Sequence, residues 1–147
     1  MSLFFTLFFT VKYRVALHKA NQKTAIESEE CFKHLTEVTD SMFYSINDKT
    51  PIKIQCKTAT FVNEIFYRLR VDYDKTSRVN SAVRSQRRND EIGGVPDSAH
   101  MYGWATDISC SDSETKYLIV KLAVLIAEEW GDDYKTYLRV GIYPNHI

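Results

Sequence analysis

The sequence predicts an α+β fold in which short strands are packed by helices, and three observations carry that prediction. The stretches Thr58–Val71 and Glu114–Trp130 repeat apolar side chains at three- and four-residue steps, the period of a helix with one buried stripe. Ile52–Cys56 and Leu138–Tyr143 instead alternate apolar and polar residues, the period of a half-buried strand. No internal repeat, low-complexity tract or linker composition divides the chain, so residues 1–147 read as a single domain.

Taken in order, Leu3–Val11 is rich in strand-forming aromatics and reads as a strand or extended arm. It is far shorter than a membrane span, and without a basic lead or small-residue cleavage site it does not read as a signal peptide. Thr24 or Ser28 can cap a helix running to about Ile46, with Glu27, Glu29 and Glu30 in its first turns, where the helix dipole favours anions. Cys31, Leu35, Val38, Met42 and Ile46 would form its core-facing stripe. Asn47–Pro51 is a turn by composition, and the Ile52–Cys56 strand follows it. In the next helix Phe61, Val62, Ile65, Phe66 and Leu69 recur at helical spacing. Asp72–Ser77 reads as a polar loop, Val79–Arg84 as a short strand, and Ser85–Glu91 as a polar segment. Arg84, Arg87 and Arg88 lie close together there, a cluster that usually marks a solvated face. Ser111 or Ser113 can cap the last helix, and Gly131 stops it.

At 147 residues, with 44% apolar and 26% charged side chains, the chain can bury one core. Nineteen basic residues cancel nineteen acidic ones, so bulk charge points to neither nucleic acid nor a membrane as partner. Function must then reside in a site. Three cysteines, Cys31, Cys56 and Cys110, are an odd number at wide spacings. They exclude a fully paired framework and contain no C-x-x-C pattern, so buried free thiols in a reducing compartment are expected.

The chemistry concentrates in Gly93–Ile108. His100 and Asp107 offer an imidazole and a carboxylate, the ligand mixture that suits zinc in a hydrolytic site. Seven positions separate them, so an unbroken strand would point them to opposite faces. A turn is required, and Gly103 can make it. Beyond it Gly103, Ala105 and Asp107 would share one nearly bare face, leaving room for a substrate backbone. Trp104, Thr106 and Ile108 would anchor the other face in the core. Ser98 stands where its hydroxyl can fix the loop that presents His100.

Ser98-x-His100-x-x-Gly103-x-Ala105-x-Asp107 resembles the Ser-x-His-x-x-Gly-x-Ala-x-Asp motif of zinc D-alanyl-D-alanine carboxypeptidases and related cell-wall peptidases, a superfamily that includes phage endolysins. Upstream, Ser81-Ala82-Val83-Arg84-Ser85, Asn89 and Gly93-Gly94 stand in register with the family's Ser-Gly-Tyr-Arg-Ser, Asn and Gly-Gly. Ala82 and Val83 replace its Gly and Tyr. The Lys57–Arg78 segment looks like extra material beside shorter members. The resemblance implies a small, mainly antiparallel sheet packed by helices, as in the Hedgehog fold, and zinc held by His100 and Asp107. It implies substrate binding by Arg84, whose planar guanidinium suits a terminal carboxylate, and by Ser98 through the loop it fixes. The implied substrate is a peptidoglycan stem peptide. Such an enzyme would be made in the bacterial host cytoplasm and act at the cell wall.

The family takes its third ligand from a histidine after the last strand, often in a His-x-His pattern, and Gly141–Ile147 resembles the approach to it. His146 corresponds by register to the first histidine, which assists catalysis, and the sequence ends before the second would stand. Either His146 is the third metal ligand, or the site is cut short and the protein is a non-catalytic relative that binds peptide or metal. His18 and His34 have no carboxylate in register and are not rivals.

Overall fold

The structure, a computed structural model, describes residues 30–50, 52–110, 112–132, 138–144 and 146–147. The Leu3–Val11 arm, the first turns of the proposed first helix and His18 lie outside the described residues. Two long helices form the core: α1 (Cys56–Tyr73) and α3 (Ser113–Trp130). Ala59, Val62, Ile65, Phe66 and Leu69 of α1 are buried, as are Leu118, Ile119, Leu122, Ala123 and Ile126 of α3. These positions recur at three and four residues, so each helix presents one continuous stripe, and the two stripes pack together. Arg68 ties the pair at its rim, donating to both oxygens of Glu129 and to Glu64.

Each helix end follows its local chemistry. Helix α1 closes with Asp74 in the left-handed region (φ 52°), and the amides of Asp74 and Lys75 donate to the Arg70 and Leu69 carbonyls. The cap of α3 is Asp112, not a serine. Its carboxylate accepts from the Thr115 amide at 2.7 Å and the Thr115 hydroxyl at 2.8 Å, since an anion both bonds those donors and meets the helix dipole.

Between the long helices run β1 (Arg78–Ser81), α2 (Gln86–Glu91) and β2 (Asp107–Ser109). The strands pair antiparallel, Arg78 with Ser109, Val79 with Ile108 and Ser81 with Asp107. Two steps along β1 thus match one along β2, so Asn80 is the extra residue of a β-bulge. The last residues return to the free side of β2. Ile108 and Ile147 exchange amide–carbonyl bonds, and His146 pairs with Ser109. The α+β class is as expected, with a sheet of only two strands among the described residues.

Several expected elements differ. The first helix does not reach Ile46: the described part leaves helical form after Phe32, and Asp40–Phe43 is a separate 3-10 turn. The Asn63 side chain captures the amides of Thr36 and Glu37, and Arg70 holds the Glu37 carboxylate. These tertiary partners take donors a helix would have used, and Ile46 is left 94% exposed. Residues 52–55 pair with no strand, because the Ile54 amide donates to the Tyr44 hydroxyl and the Gln55 amide to the Gly103 carbonyl. Leu138–Tyr143 is likewise no strand in its described residues, for Lys116 binds the carbonyls of Tyr143 and Pro144. Ser85–Glu91 is no mere polar segment but carries helix α2, capped by the Ser85 hydroxyl on the Arg88 amide. The free-thiol expectation fails for two cysteines: Cys31 and Cys56 are disulfide-bonded, with Cα atoms 5.9 Å apart, and only Cys110 is free. No helix among the described residues is long and apolar enough to cross a membrane.

Candidate metal centre

His100 sits in the 3-10 turn Ala99–Tyr102, which Gly103 closes in the left-handed region (φ 69°). The Met101 amide donates to the Ser98 carbonyl and the Trp104 amide to the Ala99 carbonyl, while the buried Met101 side chain anchors the turn. Ser98 is buried and opens the turn as expected, but through its carbonyl; its hydroxyl makes no capping bond. Gly103 lies directly on the backbone of Lys53–Gln55, where an added Cβ would overlap the Lys53 carbonyl oxygen. Gln55 completes the seat, donating its amide to the Gly103 carbonyl and its side chain to the Tyr102 carbonyl.

The imidazole is fixed from behind. His100 Nδ1 lies 2.6 Å from the Ala82 carbonyl oxygen, which can only accept, so Nδ1 donates to it and Nε2 is the nitrogen left for the site. A backbone carbonyl behind a histidine is the usual support of a metal-ligating imidazole. Nε2 faces Asp107 Oδ1 at 3.5 Å. At this separation a proton or a metal cation can bridge the two atoms. Zinc bonds of about 2.0–2.1 Å at a tetrahedral angle put neighbouring ligand atoms about 3.3 Å apart, so the pair fits the ion.

Asp107 opens β2, where its pairing with Ser81 sets its direction. Burial pushes its carboxyl up, but the His100 bond and the charges of His100, His146 and Arg84 outweigh this and hold it below the ordinary aspartate value. It therefore stays ionised at neutral pH. Arg84 follows β1 and points its Nη2 at Asp107 Oδ2 (3.7 Å) and at the Ser81 hydroxyl (3.2 Å). Its amide donates to the His100 carbonyl, joining the two segments that carry the site. A cavity of about 420 Å³ opens beside Arg84 and Asp107, the volume of a small-ligand pocket.

His146 is not drawn into the pair. Among the described residues no three His, Cys, Asp or Glu side chains gather closely enough to hold an ion. Its ring stacks on Tyr143 at 4.6 Å between centroids. Yet His146 pairs with Ser109, two positions from Asp107 on the same face of β2, so the two are diagonal neighbours across the ladder. His34 is exposed on a turn. Trp104 departs from its expected place: it is 64% exposed and stacks on Tyr102, because β2 begins only at Asp107 and no alternation governs residue 104.

One contributor escaped the sequence reading, and a second entered it only by register. Asp48, expected only as part of a turn, is buried and accepts from the Ser85 amide at 2.7 Å and hydroxyl at 2.5 Å. It thereby fixes the residue beside Arg84 from 37 positions away, which no local pattern announces. Asn89 is wholly buried, donates to the Val95 carbonyl and packs on Gly94, where an added Cβ would overlap the Asn89 side-chain amide. The sole signal for it was the Asn and Gly-Gly register upstream of the motif.

Searches among characterised proteins and among solved structures return no match. The sequence profile of the family described as Peptidase M15 matches residues 23–132, well over half of the chain. That range holds Arg84, Ser98, His100 and Asp107 and stops short of His146. That match, which takes in the imidazole, the carboxylate and the guanidinium described above, places the chain in the Peptidase M15 family of zinc metallopeptidases.

Proposed function

We propose that the protein hydrolyses peptidoglycan stem peptides, as a D-Ala-D-Ala carboxypeptidase or an endolysin-type endopeptidase acting at the bacterial cell wall after synthesis in the host cytoplasm. One observation carries this reading: His100 Nε2 and Asp107 Oδ1 lie 3.5 Å apart, with the Arg84 guanidinium 3.7 Å from the same carboxylate. His100 and Asp107 would hold zinc, with His146 as the third ligand. Zinc supplies a bound water of lowered pKa and polarises the scissile carbonyl.

The remaining work falls to the chain. The Ala82 carbonyl keeps the His100 ring from turning, so its lone pair stays aimed at the ion. Arg84 exchanges its long contact with Asp107 for the terminal carboxylate of the peptide, which its two parallel N–H groups fit. That contact fixes the peptide end and sets the scissile bond over the site. His146, diagonal to Asp107 on the same face of β2, would complete the ligand set.

The reading is tested by incubating the zinc-loaded protein with muropeptides and following D-alanine release or bond cleavage. Cleavage that disappears in His100→Ala supports it; no cleavage of any muropeptide refutes it. A second reading has its own support, the stacking of the His146 ring on Tyr143. On it the protein binds peptide or metal without turnover. A two-ligand site would give up zinc to mild chelators, whereas a three-ligand site would keep it.

A further inference from the structure

The cavity beside Asp107 extends beyond Arg84, and its far part has a composition the peptidase chemistry does not require. Arg88 lines it together with Arg84, and Met42 and Ile92 stand at its wall. Both apolar residues are 47% exposed, so they offer surface to a ligand and little to the core. Two acidic residues also line the cavity, yet each is already engaged. Both Asp48 oxygens accept from Ser85, and Asp107 faces His100 and Arg84. Arg88 is held far less firmly. Its guanidinium meets the Glu91 carboxylate only at 3.5 Å, with both side chains about half exposed (50% and 43%), a contact of small worth in water.

Arg88 is also well supported from its backbone. Its amide donates to the Ser85 hydroxyl, which in turn bonds Asp48. The guanidinium therefore starts from a fixed point on α2, one turn from Arg84. The cavity thus presents two guanidiniums in one concave space that also offers aliphatic surface. Its complement is a peptide with two anionic groups and a small apolar part.

We propose that Arg88 is a specificity-determining residue that binds a second carboxylate on the same short peptide whose terminal carboxylate Arg84 receives. This rests on the peptidase reading for the role of Arg84. The preferred substrate is then doubly acidic, and amidation of its inner carboxylate weakens binding. One charge-assisted hydrogen bond in a partly enclosed site corresponds to about tenfold in affinity.

The test compares N-acetyl-Glu-D-Ala-D-Ala with its Gln counterpart by titration calorimetry, on the zinc-loaded wild type and on Arg88→Gln, with cleavage followed in parallel. The expected result is about tenfold tighter binding of the Glu peptide by the wild type. In Arg88→Gln that preference disappears while the affinity for the Gln peptide is unchanged. Arg88 is exposed, so the substitution leaves the fold intact, and a matching melting temperature checks this. A preference equal in both proteins, no preference in the wild type, or no binding of either peptide overturns the proposal. Discrimination without cleavage supports the subsite and sinks the peptidase reading. Cleavage indifferent to Arg88 and to amidation does the reverse.

Discussion

Gly103→Ala tests whether the His100 turn is held by contact with the backbone of Lys53–Gln55. Gly103 and Gly93 share the same positive φ of 69°. An alanine at either pays the left-handed penalty, on the order of 1 kcal/mol. Their surroundings differ. A Cβ at Gly93 meets nothing within 4 Å, whereas one at Gly103 overlaps the Lys53 carbonyl oxygen and lies 2.9 Å from Ile54 Cα. Backbone cannot swing aside as a side chain can, so overpacking adds about 2 kcal/mol. Gly103→Ala should therefore cost about 3 kcal/mol and Gly93→Ala about 1 kcal/mol. For a domain of this size these correspond to falls in Tm of about 6–12 °C and 2–4 °C. Thermal unfolding followed by circular dichroism measures both. Zinc affinity should fall with Gly103→Ala as well, since the Gln55–Gly103 bond that seats the turn is lost. Equal melting shifts for the two variants would refute the reasoning, because the backbone contact would then count for nothing.

Asp107→Asn should weaken zinc binding by more than about a hundredfold, beyond the loss typical of a residue that only supports a ligand; competition against a chromogenic chelator measures it. Arg84→Gln should raise KM for a peptide with a free carboxylate end by between about tenfold and a hundredfold, and steady-state kinetics on acid and amide ends of one peptide will check this. Cys31 and Cys56 close a loop with a sequence separation of 25, so Cys31→Ser should cost about 3 kcal/mol, seen as a lower Tm that reductant no longer changes. Burial pushes the Asp48 carboxyl up, but its bonds from Ser85 and the nearby Arg87 and Arg88 charges hold it, on balance, below the ordinary value of 3.8. The unfolded chain then binds the proton more readily, so Asp48 adds stability above that value and loses it as the pH falls through its lower folded pKa. Urea melts across the acid range should show Asp48→Asn flattening that limb.

What the sequence disclosed and what it hid divide along one physical line. Helices α1 and α3 were legible because their buried stripes repeat within a few residues of each other, and the same local density made Ser98–Asp107 readable as a motif. The first helix was misplaced because its rival partners, Asn63 and Arg70, lie more than twenty positions away. Ile52–Cys56 alternates like a strand, but its amides are claimed by Tyr44 and Gly103. Within the site, the Ala82 carbonyl and the Asp48 carboxylate act across 18 and 37 positions. A carbonyl is common to every residue, and a turn aspartate is ordinary, so neither carries a mark that sequence alone can show.

The bulge in β1 bears on how a sheet this small accommodates change. Asn80 faces no partner across the ladder, yet it lines the cavity beside Asp107. Exchanging it leaves the alignment of Ser81 with Asp107 untouched, so the aim of the carboxylate survives. Ligand preference at that wall can drift, or be redirected in the laboratory, through one position that neither strand depends on.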